Sequence, residues 1–329
     1  MLAIERPTRN LSLDLLRSTE AAALAAARWV GLGRKDEGDQ AAVDAMRLLL
    51  ATVPMQARVV IGEGEKDKAP MLYNGEELGT GEGPSVDLAV DPIEGTRLVA
   101  QGRGGAISVI AAAERGGLFN PGPGFYAAKL VVGPRAKEAI DLSAGPEENL
   151  REIARALGKR LREVTVFVLD KPRHMGLIER IRQVGARVSL HTDGDVGGAL
   201  AAVLPDTGID VLMGTGGTPE GVIAAVAVKA LGGGMQMRLD PQSEEERWAL
   251  VNNGYDPQRV YTLDELCPAE DAHFAATGIT DGQFLRGVRY RGEYAVTHSL
   301  VIRGHTRTLR YIESHHLLEK LRAISGELY

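Results

Sequence analysis

Apolar positions recur at helical spacing from Leu11 to Trp29, where Leu11, Leu15 and Leu16 lead into an alanine-rich run. This spacing predicts a first helix. A second is expected over GDQAAVDAMRLLLATV, with Pro54 just beyond it. The pattern then shortens. ARVVIGEGE reads as a strand running into glycines and acids, and Val86–Val90 as another. AISVIAAAE and YAAKLVVG are two more strands, separated by the turn-rich GGLFNPGPG.

After about Gly145 the chain alternates. PEENLREIARALGKR, GLIERIRQVG, VGGALAAVLP and PEGVIAAVAVKALGG have helical character, and VTVFVLD, ARVSLH and IDVLMG fall between them as strands. Such alternation predicts an α/β arrangement with a largely parallel sheet. The reading is therefore an α/β protein in two halves. Residues 1–145 form an α+β half with most of the acidic candidates, and residues 146–329 form an α/β half. YAVTHSLVIRGHTRTLRYIESHH reads as a late hairpin around RGHT. No flexible linker separates the halves, so they are expected to pack tightly with a site between them.

Composition adds limits. The chain has 329 residues, 44% hydrophobic and 25% charged, enough to bury a core without staples. Its formal charge, 38 − 44 = −6, argues against general nucleic-acid binding. No apolar stretch approaches the roughly 20 residues of a membrane span, and the N-terminus lacks a secretory pattern. The single cysteine, Cys267, excludes an internal disulfide and fits a reducing cytoplasm. An anionic substrate would need local basic groups against this acidic background.

Ligands collect beyond the carboxyl ends of strands in open α/β sheets, and the polar clusters fall there. In DPIEGT, Asp91 ends a strand, Pro92 fixes the turn and Gly95 lets Glu94 fold back. Thr96 opens the next helix, where its hydroxyl and nearby N–H groups can face an anion. Two carboxylates and a carbonyl suit an oxygen-seeking divalent ion, although the same residues also make an ordinary strand-to-helix turn. GEGEKD adds Glu63, Glu65 and Asp67, which fit a solvated acidic loop equally well. GRKDEGD places Lys35, Asp36, Glu37 and Asp39 at a helix start, where acids also complement the dipole. In GTGGTPEGV, Thr218 is a natural cap and Glu220 a first-turn acid. The glycines of GTGG would let backbone N–H groups approach a ligand.

Lys171 and Arg173 are basic residues at a strand end and suit a phosphate dianion. Tyr126 reads as half-buried strand packing, and Asp193–Gly194 as a turn followed by Asp195. His174, His191, His315 and His316 lack zinc spacing, and the last two are expected at an exposed helix start.

From DPIEGT onward the sequence resembles the lithium-sensitive sugar phosphatase superfamily. With Glu94 at the fourth position and GTGGTPEGV in place of a WDxAAG stretch, it is similar to class II fructose-1,6-bisphosphatases of bacteria. GRKDEGDQAAVDAMR, IGEGEKD, DPIEGT, YAAKLVVGP, DKPRH, HTDGDV and GTGGTPEGV occur in the family's order over nearly the whole chain. The resemblance implies a layered αβαβα sugar phosphatase fold and hydrolysis of the 1-phosphate of fructose 1,6-bisphosphate in gluconeogenesis. It implies Mn²⁺ or Mg²⁺ held by Asp39, Glu63, Asp91, Glu94 and Glu220, with the Ile93 carbonyl as a further oxygen. Lys35 then matches the lysine near the reacting phosphate, Thr96 orients the attacking water, and Asp67 supports the metals or the water. Glu94, Gly95 and Thr96 meet the reacting end of the substrate. Tyr126, Lys171 and Arg173 clamp the distal phosphate, and Asp193, Gly194 and Asp195 accept sugar hydroxyls. A cytoplasmic homodimer or homotetramer is implied as well. The alternatives are a bifunctional enzyme that also takes sedoheptulose 1,7-bisphosphate and a non-catalytic sugar-phosphate sensor. A dinucleotide-binding dehydrogenase is weaker, since GTGGTPEG is not followed by a strand-end acid about 20 residues on; Asp240 is the nearest, and it follows MQMRL only loosely.

Overall fold

The computed structural model describes residues 10–64 and 71–325. Helix α1 (Leu11–Ala27) opens on Asn10, whose side chain accepts the Ser12 amide at 3.2 Å. It packs beside α2 (Lys35–Leu50), which begins earlier than the apolar pattern indicates. The chain then runs through β1 (Gln56–Ile61), the short β2 (Glu77–Leu78), β3 (Ser85–Glu94), α3 (Thr96–Gln101) and β4 (Ile107–Glu114). A second series follows: β5 (Tyr126–Val132), α4 (Pro146–Leu157), β6 (Thr165–Leu169), α5 (Met175–Gln183), β7 (Arg187–His191), α6 (Asp195–Val203), β8 (Val211–Gly217), α7 (Thr218–Ala230), β9 (Gly234–Leu239), α8 (Glu244–Asn252), β10 (Val260–Thr262) and α9 (Leu263–Leu266). Last come β11 (His273–Gly278), β12 (Arg289–Arg291), the hairpin β13 (Tyr294–Arg303) and β14 (Thr308–Leu317), and α10 (Leu318–Ser325).

Two sheets organise these elements. The first runs β12-β13-β11-β4-β3-β1-β2, with β14 on the other side of β13. The second runs β10-β9-β5-β8-β6-β7. One face of the first sheet, through Val86, Leu88, Val90 and Ala275, packs on α1 and α2. Its other face, through Ala89, Val109 and Ala111, packs on α6 and α7, which also meet Ala127, Val131 and Leu212 of the second sheet. The far side of the second sheet, through Leu130, Val166 and Val168, covers α4 and α5. The order of layers is therefore αβαβα, as the resemblance implies. The apolar run of α7 has no polar face because both sides of the helix are covered by sheet.

Three expectations change. The second sheet is mixed: β6 pairs parallel with β7 and β8, whereas β5 lies antiparallel to β8 and β9, and β9 to β10. The sheets also do not divide the chain at residues 145 and 146, because β5 joins the second sheet and β11–β14 return to the first. His315 and His316 lie in β14 instead of opening a helix, paired with Val296 and Ala295. Long-range pairing with β13 overrides the local pattern there.

Candidate active site

The site is built where β3 breaks its own rhythm. The sequence suggests a strand ending at Asp91, but β3 continues through Glu94. Asp91 pairs with Val109 and Glu94 with Ile107, so three steps on β3 match two on β4. This extra residue is a bulge. In a regular strand, residues three apart point to opposite faces. The bulge resets the alternation, and Asp91 and Glu94 lie opposite Val109 and Ile107, which both belong to the middle-layer core. Pro92 sits in the bulge, where its missing N–H breaks no regular ladder. Strand β1 shows a register shift of the same kind between Val59 and Ile61, two residues before Glu63.

Two helix starts meet these carboxylates. The Val196 N–H in the first turn of α6 donates to Glu94 Oε1 at 2.8 Å. Glu220 comes from the first turn of α7. Carboxylate atoms of Asp91, Glu94 and Glu220 lie within 4.8 Å of one another. Glu220 Oε2 is buried and, among the described residues, has no hydrogen-bond partner. The glycines of GTGG serve this packing. A Cβ at Gly217 would overlap the Glu220 carboxylate, and one at Gly216 the Asp195 carboxylate. The cap of α7 is Gly217, and Thr218, expected there, is the first helical residue with a buried hydroxyl.

Crowding and burial raise the affinity of these acids for protons. Burial, then Asp39 and Glu220, pushes the Glu63 carboxyl up to about 7. Burial and Glu220 push Glu94 to about 8. Asp91 is raised well above the usual range by burial and by Glu94, Glu63 and Glu220, and Glu220 is raised chiefly by burial. Asp39 is raised by burial against the opposing pull of Lys35. So many buried acids are costly unless a cation joins them. Carboxylate oxygens alone, close together and partly unpaired, fit a hard divalent ion such as Mg²⁺ or Mn²⁺.

The remaining expected residues are placed unevenly. Lys35 is exposed in the first turn of α2. Bonds from Gly31 N–H to Val99 O and Gly33 N–H to Ala100 O hold the preceding loop against α3, the helix that half-buried Thr96 starts. Gly95 caps that helix at φ 96°, a conformation that favours glycine. Arg173 lies over the Tyr126 ring at 5.1 Å, and its Nε donates to Thr215 O at 3.0 Å. Tyr126 is paired with Gly217, three residues from Glu220. Lys171 is half-buried two residues before Arg173. Asp193 and Gly194 line a cavity of about 470 Å³ with Ile107, Phe167 and Phe284. Asp195 is buried at the start of α6. Asp67 lies outside the described residues.

Sequence reasoning missed two residues. Lys129, in the middle of β5, is buried and ion-paired with Asp195. A lysine inside the apolar run AAKLVV was the available signal, since buried lysines need partners. His174 donates from Nδ1 to Leu169 O at 2.7 Å and accepts the Thr215 amide on Nε2 at 2.8 Å. That arrangement fixes the turn carrying Arg173 against β8, and nothing in the local pattern announces it.

Residues 9–316 match the family described as bacterial fructose-1,6-bisphosphatase, glpX-encoded. The chain is 47% identical over 326 residues to a class 2 fructose-1,6-bisphosphatase of Haemophilus influenzae, covering 95% of this chain and 98% of that one. It is 44% identical over 325 residues to fructose-1,6-bisphosphatase 1 class 2 of Escherichia coli K12, covering 95% and 96%.

Proposed function

The chain belongs to the bacterial, glpX-encoded fructose-1,6-bisphosphatase family, and from this premise we propose how its own residues carry out the reaction. The protein is a divalent-metal-dependent hydrolase that converts fructose 1,6-bisphosphate to fructose 6-phosphate and phosphate in gluconeogenesis. The observation that carries this reading is the convergence of Asp91, Glu94 and Glu220, with a buried Glu220 oxygen that no described group satisfies. Asp39, Glu63, Asp91, Glu94 and Glu220 are the residues that would hold the metal, Mn²⁺ or Mg²⁺. Such an ion, when bound, neutralises phosphate charge and makes water a better nucleophile.

The protein groups position the reactants. Arg173, with Nε committed to Thr215 and its guanidinium carbon over the Tyr126 ring, offers its terminal amino groups to the 6-phosphate beside Lys171. Asp193, Gly194 and Asp195 receive the sugar hydroxyls. The Thr96 hydroxyl aligns a water opposite the 1-phosphate ester bond, with Asp67 assisting, and Lys35 offsets phosphate charge. The water oxygen forms the new P–O bond as the bond from phosphorus to the C1 oxygen breaks. The departing C1 oxygen takes up a proton. Binding energy at the distal phosphate orients the reacting end.

The enzyme works as a homodimer or homotetramer in the cytoplasm. The single buried Cys267, with its thiol pushed up to about 11 by burial, suits a reducing compartment. Among the described residues no helix is long and apolar enough to cross a membrane. The test is phosphate release from fructose 1,6-bisphosphate by chelator-stripped protein with and without Mn²⁺ or Mg²⁺. Metal-dependent release is expected. Folded protein that releases no phosphate with either ion contradicts the reading.

A further inference from the structure

Among the described acids of the site lies a buried ammonium. Lys129 occupies the middle of β5, opposite Gly214 of β8 and Met237 of β9, and is only 2% exposed. Its aliphatic stem passes Gly221 in the first turn of α7, with Cδ and Cε 3.4 Å from where a Cβ would sit. A Cβ at Gly221 would touch this stem and overlap Met237 Sδ, at 2.7 Å. The ammonium donates to Asp195 Oδ2 and to the Gly217 carbonyl. Those two acceptors belong to different elements. Asp195 is the first residue of α6, the helix whose Val196 N–H holds Glu94. Gly217 caps α7, which carries Glu220. One side chain therefore joins the two helix starts that close around the carboxylates.

We propose that Lys129 is a positioning residue of this active site. Its ammonium holds one oxygen of Asp195 against the Gly217 carbonyl, so that the other, Asp195 Oδ1, is left for a sugar hydroxyl. Gly216 makes room for the pinned carboxylate, since a Cβ there would overlap it. A lysine suits the task because its charge stays on a slim stem that fits between strand and helix. The proposal rests on the reading of Asp195 as a sugar-hydroxyl acceptor.

The experiment is a double-mutant cycle with Lys129→Met and Asp195→Asn, using fructose 1,6-bisphosphate and Mn²⁺, with a separate titration of Mn²⁺ binding followed by electron paramagnetic resonance. Each single variant is expected to lose about 10- to 100-fold in kcat/KM, and the double variant to lose no more than Asp195→Asn alone. Mn²⁺ should bind Lys129→Met at least as tightly as the parent, because a repelling cation has gone. A lysine that merely held the fold would loosen metal binding, and its loss would multiply with that of Asp195→Asn; either result overturns the proposal. If Lys129→Met fails to fold with a lone buried carboxylate, the double variant removes both charges and is compared with Asp195→Asn. Equal activity supports the pinning role, and a further tenfold loss overturns it. Normal activity in Asp195→Asn fails the reading of Asp195 itself, whereas a loss there with normal activity in Lys129→Met overturns the positioning role alone.

Discussion

Glu147 and Glu94 are the same side chain put to opposite uses. Glu147 lies in the first turn of α4 on the outer surface, where Arg180 meets both its oxygens at 2.7 Å and holds its carboxyl down to about 2. Glu163 is held to about 2 by Arg160, whose guanidinium meets one oxygen and whose backbone N–H meets the other. Glu94 lies in the middle layer with Asp91 and Glu220 as neighbours, and its carboxyl is pushed up to about 8. The outer acids bring their own cations and are complete. Asp91, Glu94 and Glu220 form no ion pair among the described residues, with Lys129 bound to Asp195 and Lys35 acting on Asp39, and burial makes that deficit expensive. The contrast shows which acids serve the fold and which await an ion. It also speaks against a bare sugar-phosphate sensor, which has no use for crowded, poorly compensated carboxylates.

The largest effect is expected at Glu220. Replacing it by Gln should cut kcat on the order of 10²–10³-fold, measured with saturating metal. The same change should raise the melting temperature of the metal-free protein, because a buried, unpaired charge has been removed. A drop in both activity and stability would mean that Glu220 supports the fold instead.

The next largest effect is in pH. Glu63 and Glu94 have folded values near 7 and 8, above the usual carboxylate range. The folded, metal-free state therefore binds more protons than the unfolded chain between roughly pH 4.5 and 8, and its stability falls as pH rises through that window. Metal must displace these protons, so apparent Mn²⁺ affinity should rise by about tenfold per pH unit for each proton displaced. Calorimetric titrations at pH 6, 7 and 8 would check this, and a flat profile would remove the inner acids from the metal site. For Glu147 and Glu163 the sign reverses. Their contribution is present above the usual carboxylate range, is lost as pH falls towards 2, and is small because both are exposed.

Smaller effects sharpen the division. Lys171→Ala should raise KM about 10- to 100-fold through loss of a charged contact to the distal phosphate, with kcat nearly kept. An unchanged KM would take Lys171 out of the clamp. Glu147→Gln should leave steady-state kinetics untouched and shift the melting temperature by about a degree or two.

Much of the fold was legible because helical and strand periods are local. The α1 and α2 pair, the α/β series from Pro146 and the hairpin around RGHT all follow from patterns a few residues long. Pairing was not legible. Nothing near Tyr126 says that β5 lies antiparallel between β8 and β9, and nothing in YAVTHSLVIR sends the hairpin back to β11. The acids of DPIEGT could be named from sequence, but the reason they share a face could not. It lies in the register between Asp91–Glu94 and Ile107–Val109, on two strands joined through α3. Lys129 was hidden for a similar reason, since its partners arrive from residues 195 and 217.

The most direct test is anomalous X-ray scattering from crystals of the full chain soaked in Mn²⁺ without substrate. A manganese peak is expected within bonding distance of Asp91, Glu94 and Glu220 oxygens, with Glu220 Oε2 among the ligands. Protein that binds manganese only elsewhere, with this carboxylate group unchanged, would contradict it.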